Sequence, residues 1–305
     1  MNKRNLCLLL CLMLALLCAP AMAETTPALT LADMAGRELT LDAPATRVIA
    51  LNPADCEILY AIGAQDLLVG RGEYCNYPEE VTALPSVSSG AELNLEQILA
   101  LEPQVMIMSK MAQTVEQVEA LEKAGVKVVI SDAQNIEGVY TAIGMLGQLT
   151  GRTEDADSMI ADMRMSFADI AAKMAKTDKT IYFEVSPLEW GLWTAGSGTF
   201  MDEIATLCGY TNIFADVQGW VEISQEQVLE RNPDFIITTS VGSEQQPDPT
   251  QEIASRPGWD VLKAVQKGNV LQFDSDSFSR PGPRLLDAAQ QLCVAFIEVG
   301  VEPAA

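Results

Sequence analysis

Residues 153–176 read TEDADSMIADMRMSFADIAAKMAK. The apolar residues Ala156, Met159, Ile160, Met163, Phe167, Ile170, Ala171 and Met174 recur at the spacing of one helix face. Thr153 is placed to cap such a helix. Glu154 and Asp155 suit the first turn of its dipole, and Lys173 and Lys176 the last. As a single helix it would run roughly 36 Å, at about 1.5 Å per residue. It sits mid-chain, and a different grammar lies on either side.

On the N-terminal side, residues 29–50 alternate apolar and polar around Ala35-Gly36-Arg37, which reads as a hairpin leading into a buried strand at 47–51. Short apolar runs at 67–70, 105–108 and 126–130 fit parallel strands. Helical patterns at 55–62, 95–101, 114–124 and 136–149 separate them. On the C-terminal side a strand at 180–185 opens a second unit. Strands at 236–238 and 270–273 continue it, and a helix at 285–299 closes it. Alternating strands and helices build open parallel sheets covered on both faces. The fold class expected is therefore α/β: two Rossmann-like lobes, 24–151 and 178–305, each with a central sheet, bridged by the single long helix at 152–177.

Two internal echoes support the pairing of lobes. Asn94-Leu95-Glu96-Gln97-Ile98-Leu99 leads through Pro103 to Val105-Met106-Ile107. Ser224-Gln225-Glu226-Gln227-Val228-Leu229 leads through Pro233 to Phe235-Ile236-Ile237. Glu57-Ile58 with Gly63 is matched by Glu203-Ile204 with Gly209. Both echoes keep order and internal spacing, which argues for one fold used twice. Two lobes on one helix leave a cleft suited to capturing a ligand.

The first 23 residues read as an export signal. Lys3 and Arg4 precede an apolar run at 6–17, and Ala21-Met22-Ala23 offers a cleavage site before Glu24. Simple release into a periplasm is the first expectation, and lipid anchoring at Cys18 on the cell surface the alternative. With Lys3 and Arg4 removed, 17 of the 19 basic residues face all 42 acidic ones, a net charge of −25. Such a chain is repelled by nucleic acid and anionic lipid and prefers a basic partner surface. It contains no histidine. That excludes Ser-His-Asp and Cys-His catalysis and argues against a bare zinc or manganese site. No intrinsic cofactor, metal or catalytic residue is expected. Four cysteines remain after the signal, Cys56, Cys75, Cys208 and Cys293, and an even number in an oxidising compartment points to two disulfides.

Several motifs bear on ligand capture. Ser279-Arg280-Pro281-Gly282-Pro283-Arg284 breaks the chain and presents two guanidiniums that can grip carboxylate, amide or phosphate groups. Arg284 has the alternative of tying its loop to an acidic neighbour. Tyr74 in the first lobe and Trp190, Trp193 and Trp220 in the second fall in loop-like stretches, where aromatic faces serve as ligand platforms. Asp274 and Asp276 can accept hydrogen bonds from ligand amides. Glu96 and Glu226, equivalent in the echo, can dock on two basic pockets of a symmetric partner. The glycine-rich Ala195-Gly196-Ser197-Gly198-Thr199 lacks the pattern of a nucleotide loop and reads as a turn before a helix from Phe200.

Several stretches together resemble the iron-chelate and cobalamin class of periplasmic binding proteins, the class III fold whose lobes share one long helix. They are DMAGR at 33–37, RVIALNP at 47–53, EILYAIG at 57–63, Val69-Gly70 with YCNYP at 74–78, Asn94-Leu95-Glu96, and RPGPR at 280–284. The resemblance spans nearly all of the chain after the signal. It implies a monomeric solute-binding component of an ABC importer, which captures a corrinoid or ferric-siderophore chelate and delivers it to a permease dimer with its ATPase. In the cobalamin-binding members, ligand contacts fall on Tyr74, Trp193, Trp220, Asp276 and Arg280, and permease-docking glutamates on Glu96 and Glu226. The resemblance also implies a Cys208–Cys293 disulfide, and Cys56–Cys75 is expected to pair in the first-lobe rim. A cleft tryptophan of those members falls on Gly90 here, which leaves room for another corrinoid, a siderophore or haem. Further alternatives are a ligand-sensing ectodomain and, less in keeping with an exported chain lacking histidine, a metal-cluster or chelatase-like enzyme.

Overall fold

The computed structural model describes residues 28–88, 93–110, 114–242 and 248–298. The segment expected to be an export signal, with Cys18, and also Gly90 lie outside them.

β1 (Leu29–Ala32) and β2 (Glu38–Leu41) pair antiparallel as the expected hairpin. β3 (Val48–Ala50) is buried throughout and runs into α1 (Pro53–Ala61). Asn52 caps α1 by accepting from the Ala54 N–H, and Pro53 supplies a helical φ at its first position. β4 (Leu68–Gly72), β5 (Ser86–Val87), α2 (Leu95–Ala100), β6 (Val105–Met108), α3 (Val115–Lys123), β7 (Lys127–Ile130) and α4 (Ile136–Thr150) complete the first lobe. The sheet order is β5-β4-β3-β6-β7 and every pairing is parallel. All four residues of β6 are buried, as strands covered on both faces must be.

The bridging helix is α5 (Thr153–Lys173), 21 residues and about 31 Å long. It is shorter than the apolar stripe foretold, because Met174 turns extended while staying buried. Thr153 is its first helical residue and not its cap. Arg152 holds the cap position and makes no side-chain cap bond. The reason lies one residue earlier: Gly151 ends α4 in the left-handed region at φ 71°, so Gly151 and Arg152 together form the turn. At Gly147 a Cβ would stand 2.4 Å from the Cβ of Ala156, so only glycine lets α4 and α5 approach this closely.

The second lobe comprises β8 (Thr180–Glu184), β9 (Leu192–Ala195), α6 (Phe200–Leu207), β10 (Thr211–Asn212), β11 (Trp220–Ile223), α7 (Gln225–Arg231), β12 (Phe235–Thr238), α8 (Pro249–Ser255), α9 (Lys263–Gln266), β13 (Val270–Gln272), α10 (Ser275–Ser279) and α11 (Leu285–Glu298). Its sheet order is β10-β8-β12-β13, again all parallel. Setting β3 against β8 maps β4-β3-β6-β7 onto β10-β8-β12-β13. The echoed helices α2 and α7 then precede the equivalent strands β6 and β12, and Glu57 and Glu203 fall on the equivalent helices α1 and α6. One continuous apolar cluster holds Leu146 of α4, Met163 and Phe167 of α5, and Leu292 and Phe296 of α11. The bridging helix is therefore packed into both lobes, which restrains their relative motion.

Candidate functional site

The loops that leave the carboxyl ends of the two sheets face each other, the usual place for a ligand in open α/β architectures. After β4 comes the rim Tyr74-Cys75-Asn76-Tyr77. After β13 come α10 and the rigid turn to Arg284. They meet through Arg280, which donates to Asn76 Oδ1 at 2.7 Å and to Glu57 Oε1 at 3.0 Å. Asp276, one turn earlier on α10, pairs with Arg280 at 2.7 Å and accepts from Asn76 Nδ2 at 3.1 Å. Two of the expected ligand residues thus stand side by side, already bonded to the opposite lobe.

Arg284 realises the alternative foreseen for it. It donates to both oxygens of Glu57, at 2.9 and 2.7 Å, and lies over the Tyr77 ring at 4.2 Å. That bond to Glu57 holds its guanidinium above the ordinary value. Glu57 is 3% exposed. The Asp274 carboxyl caps α10 by accepting from the Ser277 N–H at 2.8 Å. Burial alone would raise it, but the bonds from Ser277 and the charge of Arg284 hold it below the usual range.

Tyr74 is 68% exposed and Trp193 39%, so each leaves an aromatic face free for a guest. Trp193 and Trp220 lie not in loops but on β9 and β11, paired as an antiparallel ribbon. Glu222 is the partner of Trp193 and stands two residues from Trp220, so both tryptophans share one face of the ribbon. The strands are four residues each, β9 between Gly191 and Gly196 and β11 directly after Gly219, too short for alternation to show in the sequence. Trp220 is half-buried, with its ring 5.2 Å from Phe200, and donates to Gln134 Oε1 of the first lobe at 3.0 Å. It stands at the Gln134 side of the cleft, where the Phe200 N–H donates to Gln134 O at 2.9 Å and the Ile136 N–H to Glu203 Oε2 at 2.7 Å. Asn76 and Gln134 were missed by sequence reasoning, and Glu57 and Glu203 were seen only as an echo.

Glu96 and Glu226 are exposed, each at the second position of its helix. The caps match: Asn94 Oδ1 accepts from the Gln97 N–H at 3.0 Å, and Ser224 Oγ from the Gln227 N–H at 3.4 Å. Hydrogen bonds from its own backbone N–H and from Ser224 hold the Glu226 carboxyl below its usual value.

All four described cysteines are buried free thiols, so the structure holds no disulfide where two were expected. It does set each expected pair together. Cys56 and Cys75 both point at Ala50 O, at 3.7 and 3.8 Å, and the hydrogen bond with Cys75, with burial, pushes the Cys56 thiol up. Cys208 and Cys293 likewise lie within hydrogen-bonding reach of each other. Among the described residues no cluster of carboxylates and thiols is arranged to hold a metal ion, and no helix is long and apolar enough to cross a membrane. Two surface depressions, of about 360 and 690 Å³, flank α5 and α11 and include none of the cleft aromatics.

Two sheets whose strand ends face each other across a shared helix make the architecture of a two-lobed binding protein. The chain belongs to the periplasmic binding protein family, whose sequence profile matches residues 48–277. It is 31% identical over 271 residues to an ABC transporter substrate-binding lipoprotein of Bacillus subtilis (strain 168), covering 86% of this chain and 83% of that protein. It is 33% identical over 265 residues to the vitamin B12-binding protein of Salmonella paratyphi A, covering 84% and 91%. The crystal structure of the periplasmic vitamin B12-binding protein of Vibrio cholerae superposes with a TM-score of 0.67 at 28% identity, over 84% of this chain and 98% of that one.

Proposed function

We propose that this protein is the solute-binding component of an ABC importer, that it captures a corrinoid or a ferric-siderophore chelate, and that it releases the chelate unaltered to a membrane permease. One observation carries the reading. The Arg280–Asp276 edge of the second lobe meets the Tyr74–Asn76 rim of the first, on a family fold whose B12-binding members share about a third of their residues with this chain. Tyr74 and Trp193 would cover the faces of the guest, Trp220 would line the far side, and Arg280 with Asp276 would fix its polar edge. Because the lobes already touch, a guest must replace Asn76 as the partner of that edge.

Titration of tryptophan fluorescence with cyanocobalamin, cobinamide, haemin and a ferric-siderophore panel tests the reading. Saturable quenching by at least one chelate, with thermal protection by the same compound, is expected. Silence from all of them would end it. Delivery rests on Glu96 and Glu226, which stand at matched places and would meet basic pockets on the two halves of a permease. Charge reversal at both should leave chelate binding unchanged and abolish uptake, and loss of binding as well would remove the docking role.

A further inference from the structure

We infer that Cys56 and Cys75 form a thiol–disulfide exchange site, whose oxidation fixes the Tyr74–Asn76 rim to α1 and whose reduction releases it. The consequence for a guest rests on the capture reading above, in which Tyr74 covers one face of the chelate. Both cysteines are buried, one on α1 and the other in the rim that follows β4. Their sulfurs converge on one spot. Cys56 Sγ donates to Ala50 O at 3.7 Å, and Cys75 Sγ lies 3.8 Å from the same oxygen and 3.7 Å from Leu51 O. The two sulfurs are also within hydrogen-bonding reach of each other.

The neighbours of the pair give it its reach. Cys56 precedes Glu57, which accepts from Arg280 and Arg284. Cys75 stands between Tyr74, whose backbone oxygen accepts from Arg280 at 3.4 Å, and Asn76, which bonds both Arg280 and Asp276. Glu57, Tyr74 and Asn76, the first-lobe residues that bond Arg280, are thus each next to a cysteine. In the dithiol the sulfur contacts are weak S–H bonds to carbonyls, whereas two charged groups of the second lobe grip Asn76. A rim held in that way follows the second lobe when the lobes move. A disulfide keeps it on α1, so Tyr74 holds its place when Asn76 is displaced, and the aromatic face is preorganised for a guest.

The exchange needs an external disulfide. One cysteine thiolate attacks it, forms a mixed disulfide and expels an external thiol. The second cysteine attacks the protein-bound sulfur and expels the other. Two cysteine thiols are oxidised, one external disulfide is reduced to two thiols, and the two protons pass to the thiols that leave. An external dithiol runs the same steps backwards. Both sulfurs are shielded while the rim is seated, so exchange requires the rim to lift, and a guest resting on Tyr74 slows it.

Hydrogen exchange across residues 72–77, read by mass spectrometry, tests the inference in three samples. They are the native protein treated with oxidised glutathione, the native protein reduced with dithiothreitol, and Cys56→Ser treated with oxidised glutathione, which leaves Cys208 and Cys293 free to pair. The rim of the oxidised native protein should exchange at least about tenfold more slowly than in either of the others. It should also bind cyanocobalamin or cobinamide about two- to tenfold tighter, the scale of ordering one or two side chains in advance. The reduced native protein gives the same contrast if Cys56→Ser fails to fold. Equal rim exchange in the oxidised and reduced native protein would overturn the inference. So would a Cys56 or Cys75 thiol that still alkylates, on unfolding, after the glutathione treatment, and so would equal corrinoid affinity in the two redox forms. If the rim slows as stated but neither corrinoid binds, the thiol site stands and the corrinoid reading falls.

Discussion

Asp55 lies two residues before Glu57 on α1, is 1% exposed, and accepts one hydrogen bond from Ser131 Oγ at 2.6 Å. Its other oxygen has no partner. Burial pushes this carboxyl up to about 7 from an ordinary 3.8, against the lesser pull of the Ser131 bond. Between those values the folded protein holds a proton that the unfolded chain has lost. The stability associated with this proton is present in full below the unfolded value and is lost as pH rises through the folded one. The gap is roughly 3 pK units, and at about 1.4 kcal/mol per unit the folded state forgoes about 4 kcal/mol above neutrality. Asp55→Asn keeps an oxygen for Ser131, fits the same volume and carries no charge at any pH. The variant should therefore be more stable than the native protein by about 1–2 kcal/mol at pH 5 and by about 4 kcal/mol at pH 8. Urea unfolding of both proteins at the two pH values measures the difference, and common titrations of other groups cancel in the comparison. A gap that does not widen with pH would show that Asp55 is hydrated and ionises normally, and the argument would be wrong.

Two other perturbations follow from buried chemistry. In the second lobe Arg256 grips Glu184 with two bonds of 2.7 and 2.8 Å, with both side chains nearly inaccessible, and it also pairs with Glu252. Burial raises the Glu184 carboxyl and the two-pronged contact from Arg256 opposes that rise, so Arg256→Met, which leaves Glu184 buried without its partner, should cost about 3–5 kcal/mol. Replacing Glu184 by leucine in the same protein should recover most of that loss in urea unfolding, and no recovery would mean that the Trp259 contact of Arg256 dominates instead. In an oxidising medium, peptide mapping without reduction should find Cys56 joined to Cys75 and Cys208 to Cys293. By loop length these bonds would stabilise the fold by about 3 and about 4.5 kcal/mol, and a thiol that alkylates in the unreduced, unfolded chain rules out its pair.

The parts of the fold written in local pattern were readable before the structure was known. The stripe from Ala156 to Met174 gave α5, and the short runs at 105–108, apolar throughout, and 126–130, apolar but for the exposed Lys127, gave β6 and β7. The echo gave the lobe correspondence, because a capping residue, a glutamate and a proline keep their spacing in both halves. What stayed hidden depends on pairs distant in sequence. Nothing near Glu57 announces that it meets Arg280 and Arg284, more than 220 positions away. The β9–β11 ribbon was missed for a different reason. Each strand is four residues long, and Trp193 and Trp220 looked like loop aromatics without the partner strand that fixes their common face.

The duplication also explains why the cleft is tied at both sides. Glu57 and Glu203 occupy equivalent helices, and each reaches out of its own lobe: Glu57 to the arginines that follow β13, Glu203 to the Ile136 N–H that opens α4. Topologically equivalent helices thus carry the same residue type to a contact with the opposite lobe. The two ties differ in strength. Glu57 is buried against two full charges, whereas Glu203 accepts from a backbone amide and burial pushes its carboxyl up. The Glu203 side therefore costs less to part, and the cleft should open there first, pivoting on α5 and on the Glu57–arginine cluster.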